Sequence, residues 1–416
     1  MKTRHGQAAT DDKKSTSRSR MDNWLLILGI IIVAAALRAP FTSVGPLVKT
    51  IRDDLGLSNT AAGAITTLPL LAFALLSPFA PRLARRFGLA NVLVASMLLL
   101  SIGILIRSAA GTGMLFLGTA ILGLSIAVCN VLLPGLIKGK FPQNTGLMTG
   151  IYSVSMNLCA AVASGISVPL ATQTGLGWKG TLAIWFVIAA LSTLLWIPQI
   201  RNLEQRSPGA ALATGGNLWR SGLAWQVTIF MGLQSLLYYV MVAWFSVILV
   251  ERGMTLSHAG WILSIMQLAQ LPFTFFIPLL AGRMKNQRSF VIGIVVLYIV
   301  GIGGVWLGST SWMLLWACSI GIAGGSSFGL VMMFFSLRTR STQQAAELSG
   351  MAQSIGYMLA AAGPALFGLL HDLTGSWTLP LILLLGASVV LLFVGLGAGS
   401  NKYVEDQRLR VVDKQS

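Results

Sequence analysis

Charge is what this sequence has least of. Only 10% of its 416 residues are Asp, Glu, Lys or Arg, well under half the share of an ordinary soluble domain. The shortage is lopsided, with 12 acidic residues against 29 basic ones and a formal net charge of +17. Asp11, Asp12, Asp22, Asp53, Asp54, Glu204, Glu251, Glu347, Asp372, Glu405, Asp406 and Asp413 all fall in tails, in loops or at the ends of apolar runs. No carboxylate is therefore expected deep in a membrane. That argues against a carrier of organic cations, which needs an intramembrane Asp or Glu as counter-ion. Glu347 is the nearest candidate for a proton site. Cysteine is scarce too, and Cys129, Cys159 and Cys318 all lie inside apolar runs. They read as small core residues, so neither a disulfide framework nor a metal or other cofactor is expected. His5 lies in the leading tail, and His258 and His371 fall near span ends. With no nucleophile triad and no soluble nucleotide-binding domain, the expectation is neither an enzyme nor an ATP-driven pump.

What fills the sequence instead is apolar: 55% of its residues are hydrophobic, in recurring runs long enough to span a bilayer. Twelve spans are predicted, near 23–46, 60–81, 91–109, 113–137, 145–171, 180–198, 222–250, 257–281, 289–308, 311–337, 346–371 and 376–399. The basic residues sit in the short loops between them. Arg82, Arg85 and Arg86 follow the second span, Lys138 and Lys140 the fourth, Arg283, Lys285 and Arg288 the eighth, and Arg338 and Arg340 the tenth. Membrane topology explains this placement better than nucleic-acid binding does, and it puts both termini in the cytoplasm. Residues 1–21 read as a disordered basic tail. The chain then divides into a six-helix bundle at 22–198, a linker at 199–221, a second bundle at 222–400 and a tail at 401–416.

The two bundles look like copies. A shift of 200 residues sets Lys138 on Arg338, Lys140 on Arg340, Gly150 on Gly350, and Thr174-Gly175 on Thr374-Gly375. A shift of 197 sets Ala62-Gly63 on Ala259-Gly260, Pro81 on Pro278 and Arg86 on Arg283. An even number of spans in each copy makes them parallel, an arrangement that places a binding site between the halves of a transporter. The glycine-rich "GIAGGSSFG" at 321–329 follows no strand and lies within an apolar span, so it is read as a close-packing surface and not as a phosphate loop.

Several motifs carry a resemblance. With its two parallel six-span halves, the chain resembles the major facilitator superfamily. Within it, "LRAPFTSVGPL" in the first span resembles the Asn-Leu-Arg-Pro segment of the cyanate and 2-nitroimidazole transporter family. "TTLPLLAFALLSPFAPRLARRFG" (66–88), "NVLLPGLIKGKFP" (130–142), "LSGMAQSIGYMLAAAGP" (348–364) and "LTGSW" after His371-Asp372 are similar to its 2-nitroimidazole branch. The resemblance implies an all-α membrane protein of twelve helices in two pseudo-symmetric bundles, working as a monomer in the bacterial cytoplasmic membrane. It implies a secondary transporter of cyanate-like anions or 2-nitroimidazole-like heterocycles, with export as a candidate direction and protons as a candidate coupling ion. The rival classes are a membrane sensor, a membrane-embedded enzyme, or a carrier of another small organic anion or drug. Two departures stand out. Ala36 replaces the family's Asn, and Pro40 stands displaced from its place beside the arginine. Pro81 and Arg85 also occupy positions where the wider superfamily has Gly and Asp, so its carboxylate latch does not carry over.

The residue that invites a function is Arg38. It lies 14 positions past Trp24, or roughly 21 Å along a helix, still inside a hydrocarbon core of about 30 Å. A central arginine costs roughly 2.5–3.5 kcal/mol on insertion scales. It either faces a central cavity, with Thr42 on the same face, or snorkels to the outer interface or pairs with backbone carbonyls. Arg107 is read as a snorkelling interface residue, leaving Arg38 as the one deep charge. Asn130, Tyr152, Asn157, Gln234, Tyr238, Gln267, Gln353 and Tyr357 recur at helical spacing. Amides and rings of this kind suit a small, flat, polar solute, and they equally suit helix-to-helix hydrogen bonding. Pro40 and Pro46 either mark bend points or end the span. Gating is expected of these prolines and of Arg85, Arg86, Lys138 and Arg338.

Overall fold

The computed structural model describes residues 24–109, 111–204 and 218–404. The expectations for tail 1–21, for linker positions 205–217 and for tail positions 405–416 lie outside the described residues. The first half begins with α1 (24–42), which runs through a 3-10 turn at Gly45–Leu47 into the short α2 (Val48–Leu55). It continues with α3 (Asn59–Leu76), α4 (Ala80–Phe87), α5 (Leu89–Ser108), α6 (Thr112–Lys140), α7 (Thr145–Gln173), α8 (Gly177–Ala183) and α9 (Phe186–Glu204). The second half holds α10 (Gly222–Glu251), α11 (Leu256–Ala281), α12 (Arg288–Leu307), α13 (Met313–Leu337), α14 (Thr342–Thr374) and α15 (Thr378–Ala398). Eleven helical segments among the described residues are long and apolar enough to cross a membrane, and a bent pair raises the number to twelve.

That bent pair corrects the second predicted span. Its two arms, Ala64–Leu76 and Ala80–Phe87, meet at 58°. Pro78 has no N–H to continue the ladder of α3, while Pro81 sits in the first turn of α4, where a missing N–H costs nothing. The sixth span also starts earlier than expected, at Gly177, with a turn at Ile184 and Trp185 joining α8 to α9.

Burial follows the repeat. The fourth span of each half, α6 and α13, is more enclosed than any other. The outer helices turn one face outward, with Leu307 on α12 and Phe393 on α15 exposed as lipid-facing groups are. The glycine-rich stretch of α13 packs as the sequence implies: a Cβ on Gly321 or Gly325 would collide with the Met266 or Gln270 carbonyl oxygen of α11. Serine and threonine hydroxyls inside the bundle mostly return to the carbonyl four residues back, as Ser101 does to Met97 and Thr119 to Leu115, so polar atoms stay satisfied away from water.

Candidate functional site

A cavity of about 30 Å³ lies between the halves. Arg38 of α1 and Asn157 of α7 line it from one side. Gln234, Ser235, Tyr238 and Tyr239 of α10, Gln270 of α11, Phe328 of α13 and Tyr357 of α14 line it from the other. The Arg38 Nε is buried without a hydrogen-bond partner. Among the described residues, no carboxylate pairs with this guanidinium. The groups within electrostatic reach are the phenols of Tyr239, Tyr357 and Tyr238. The Tyr239 hydroxyl is buried beside the guanidinium and is its side-chain hydrogen-bonding neighbour. A guanidinium without a carboxylate partner, set among phenols at one cavity, is chemically suited to an anion or an electron-rich acceptor. The Gln234 amide is partly engaged within its own helix, donating to the Ser235 hydroxyl at 2.7 Å and the Met231 carbonyl at 3.2 Å.

The structure thus brings Arg38, Asn157, Gln234, Tyr238 and Tyr357 together and draws other predicted site residues elsewhere. Gln267 lines an adjoining hollow with Tyr298 and Ile320; Gln270, one turn along, lines both that hollow and Arg38's cavity, as Tyr238 does. The Thr42 hydroxyl stands 3.0 Å from the Arg38 carbonyl and 3.1 Å from that of Ala160, tying α1 to α7. The Tyr152 hydroxyl donates to Asn130 Oδ1 at 3.0 Å, and Gln353 Nε2 donates to the Asn130 backbone oxygen at 3.0 Å and to Ser349 Oγ at 2.7 Å. Asn130, Tyr152 and Gln353 therefore form a polar tie between the halves and not a cavity wall.

That tie belongs to a longer seam on the side of the cavity that carries the basic loops. Moving along α14 toward the cavity, Glu347 pairs with Arg85 of α4 at 2.5 Å. Gly350 then meets the Ser77 carbonyl, Gln353 meets Asn130, and Ser354 Oγ donates to the Ala74 carbonyl at 2.6 Å. Tyr357, one turn further, lines the cavity. Beyond it the close neighbours of Gly363 and Gly368 come from α10, within the same half. On the opposite side of the seam, Gly146 and Gly150 of α7 lie against the Pro278 and Phe275 carbonyls of α11. Lys138 also crosses, donating to the Ser336 carbonyl at 2.7 Å, to Thr339 Oγ1 at 2.9 Å and to the Thr339 carbonyl. These contacts join the halves across the seam, and outside them a cavity of about 980 Å³ opens between Lys138, Gly146, Arg283, Ser336, Thr339 and Arg340.

The other gating expectations need correction. Arg338 does not cross the seam. Its guanidinium lies over Phe334 and donates to Gln287 Oε1, and its carbonyl accepts from the Val404 N–H, so it braces the second half internally. Burial pushes that guanidinium down to about 10. Arg86 is exposed and lies over its neighbour Phe87. Pro46 stands in the 3-10 turn that follows the end of α1, so it terminates the span. Pro40 is buried within the last turn of α1, and its carbonyl accepts from Arg107 Nη1 at 2.7 Å. Arg107 is thus no snorkelling residue. It is 1% exposed, and Arg38 is not the one deep cation.

Relatives agree with this architecture. The Major Facilitator Superfamily profile matches residues 27–364. The chain is 43% identical over 392 residues to the 2-nitroimidazole transporter of Escherichia coli (strain K12), covering 94% of this chain and 99% of that one. It is 26% identical over 354 residues to the cyanate transport protein CynX of the same strain, covering 85% and 91%. Among solved structures, the proton:xylose symporter XylE bound to 6-bromo-6-deoxy-D-glucose superposes with a TM-score of 0.71 at 14% identity, over 93% of this chain and 98% of that one. A profile match over most of the chain and near-complete coverage of a close relative identify this multi-pass membrane protein as a member of the Major Facilitator Superfamily, a transporter of small solutes and not an enzyme.

Proposed function

We propose that the protein is a secondary transporter that binds a small anion or an electron-rich polar heterocycle, cyanate-like or 2-nitroimidazole-like, beside Arg38 and carries it across the bacterial cytoplasmic membrane by alternating access. The observation that carries this reading is a guanidinium with no carboxylate partner among the described residues, its Nε buried and unpartnered, facing a cavity between the halves. A carboxylate beside it would neutralise the cation, and the phenols that surround it leave its charge for a ligand. Ring stacking on Tyr238, Tyr239 or Tyr357 suits a flat solute, and the Gln234 and Gln270 amides orient one that has acceptor oxygens.

The remaining features of the reading follow from the same frame. The basic loops lie on the cytoplasmic side, with both termini, so the seam faces the cytoplasm. Bundles 22–198 and 222–400 rock about the site, joined by the 199–221 linker. In this reading the transporter works as a monomer, uses protons as coupling ion and runs toward export. Flux of labelled cyanate and 2-nitroimidazole in proteoliposomes tests the reading, compared between the native protein and Arg38→Ala. Loss of flux with intact membrane insertion is expected, and full transport by the variant removes Arg38 from the site. Binding without flux by the native protein would point to a sensor instead.

A further inference from the structure

Arg107 of α5 is buried in the first half, at 1% exposure. Among the described residues no carboxylate pairs with it. Its Nε and Nη2 are buried and unpartnered, and only Nη1 is spent, on the Pro40 carbonyl at 2.7 Å. A buried cation that leaves two donors unpaired is a poor device for stability alone. The group it holds is what gives the arrangement meaning.

Pro40 lies two residues after Arg38. It has no N–H, so the Ala36 carbonyl one turn back loses its helical donor where the guanidinium leaves the backbone. α1 then ends within two residues, at 42. A helix end weakened in this way would let Arg38 wander. Three contacts fix it: Arg107 Nη1 on the Pro40 carbonyl, Ser43 Oγ on the same carbonyl at 3.2 Å, and the Thr42 hydroxyl between the Arg38 and Ala160 carbonyls. Of these, the Arg107 contact is the charge-assisted one, and it comes from a different helix, α5. It ties the turn after Arg38 to the body of the first half.

Resting on the assignment of Arg38 to the ligand, we propose that Arg107 is a positioning residue: it holds the end of α1 through the Pro40 carbonyl and so keeps the Arg38 guanidinium aimed into the cavity. It touches no ligand itself.

Arg107→Met separates this role from packing, because it fills similar volume, removes the unpaired buried donors and leaves the Pro40 carbonyl still served by Ser43. The variant is expected to keep or raise thermal stability in detergent. In proteoliposomes its KM for labelled cyanate or 2-nitroimidazole should rise about tenfold, on the scale of one lost charge-assisted hydrogen bond, with Vmax little changed. Arg107→Lys, which can still reach the carbonyl with a cation, is expected to recover most of the affinity. A native KM in Arg107→Met overturns the proposal, as does a KM rise that tracks a fall in stability and is not recovered by lysine. Arg38→Ala measured alongside separates the two claims. If it is impaired while Arg107→Met is native, only the positioning role fails; if it is native too, the site reading fails with it.

Discussion

Gly350 of α14 lies against the Ser77 carbonyl so closely that a Cβ there would stand 2.7 Å from the oxygen, and Gly150 of α7 lies against the Phe275 carbonyl at the same 2.7 Å. The two contacts are copies of one another. Gly150 and Gly350 are matched by the internal repeat, and the shift of 197 sets Ser77 on Thr274, the residue before Phe275. Each half thus offers a bare glycine to the other's backbone, and the seam is joined twice by the same device.

Replacing either glycine by alanine is expected to loosen this seam. The added methyl must displace a helix backbone, and overpacking of this kind costs about 1–3 kcal/mol. Spin labels at Gln143 and Lys285, exposed in opposite halves beside the seam, should report a longer separation in Gly350→Ala than in the parent. An unchanged distance distribution would show that the seam does not depend on close approach.

The Arg85–Glu347 pair makes a smaller prediction. Arg85 is largely exposed and Glu347 only partly so, so Glu347→Gln should shift the joined-to-parted ratio of the seam by about two- to fivefold, the range of a half-exposed ion pair. The charge swap Arg85→Glu with Glu347→Arg should restore the parental distance distribution. Failure of the swap would assign Glu347 to something other than this pairing.

Arg38→Lys distinguishes a point charge from a planar fork. A ligand with two acceptor oxygens, such as a nitro group, uses both edges of a guanidinium, so lysine should raise KM for 2-nitroimidazole more than for cyanate. Equal rises for both would mean that charge alone is recognised.

The two α11 amides should part company. Gln270→Ala is expected to raise KM by about five- to twentyfold, as the loss of one orienting hydrogen bond does, whereas Gln267→Ala should leave KM within about twofold. The reverse result would place the ligand in the hollow beside Tyr298.

Much of this architecture was legible in the sequence, because hydropathy, loop charge and the repeat are each properties of local segments. Arg38 is conspicuous for a similar reason: an intramembrane cation stands out against an apolar background. The errors have a common cause. Helical spacing shows which residues share a face, but not how that face is rotated toward its neighbours. That is why Gln267 was favoured over Gln270, why Tyr239 went unselected beside Tyr238, and why Asn130, Tyr152 and Gln353 were expected at the cavity instead of across the seam. Arg107 was misjudged because depth counted along α5 places it near a span end. The carbonyl that claims it belongs to Pro40, 67 residues away in the chain. The break in the second span was written in Pro78 and Pro81 and could have been read there.

On α14, the contacts at Glu347, Gly350, Gln353 and Ser354 and the cavity wall at Tyr357 follow one another along a single rigid rod. Such a rod carries half of the lock at one end and the hand at the other. Under the proposed reading, a solute that shifts Tyr357 also bears on the α14 bolts, while the contacts of α7 with α11 and of Lys138 with Ser336 and Thr339 lie on other elements.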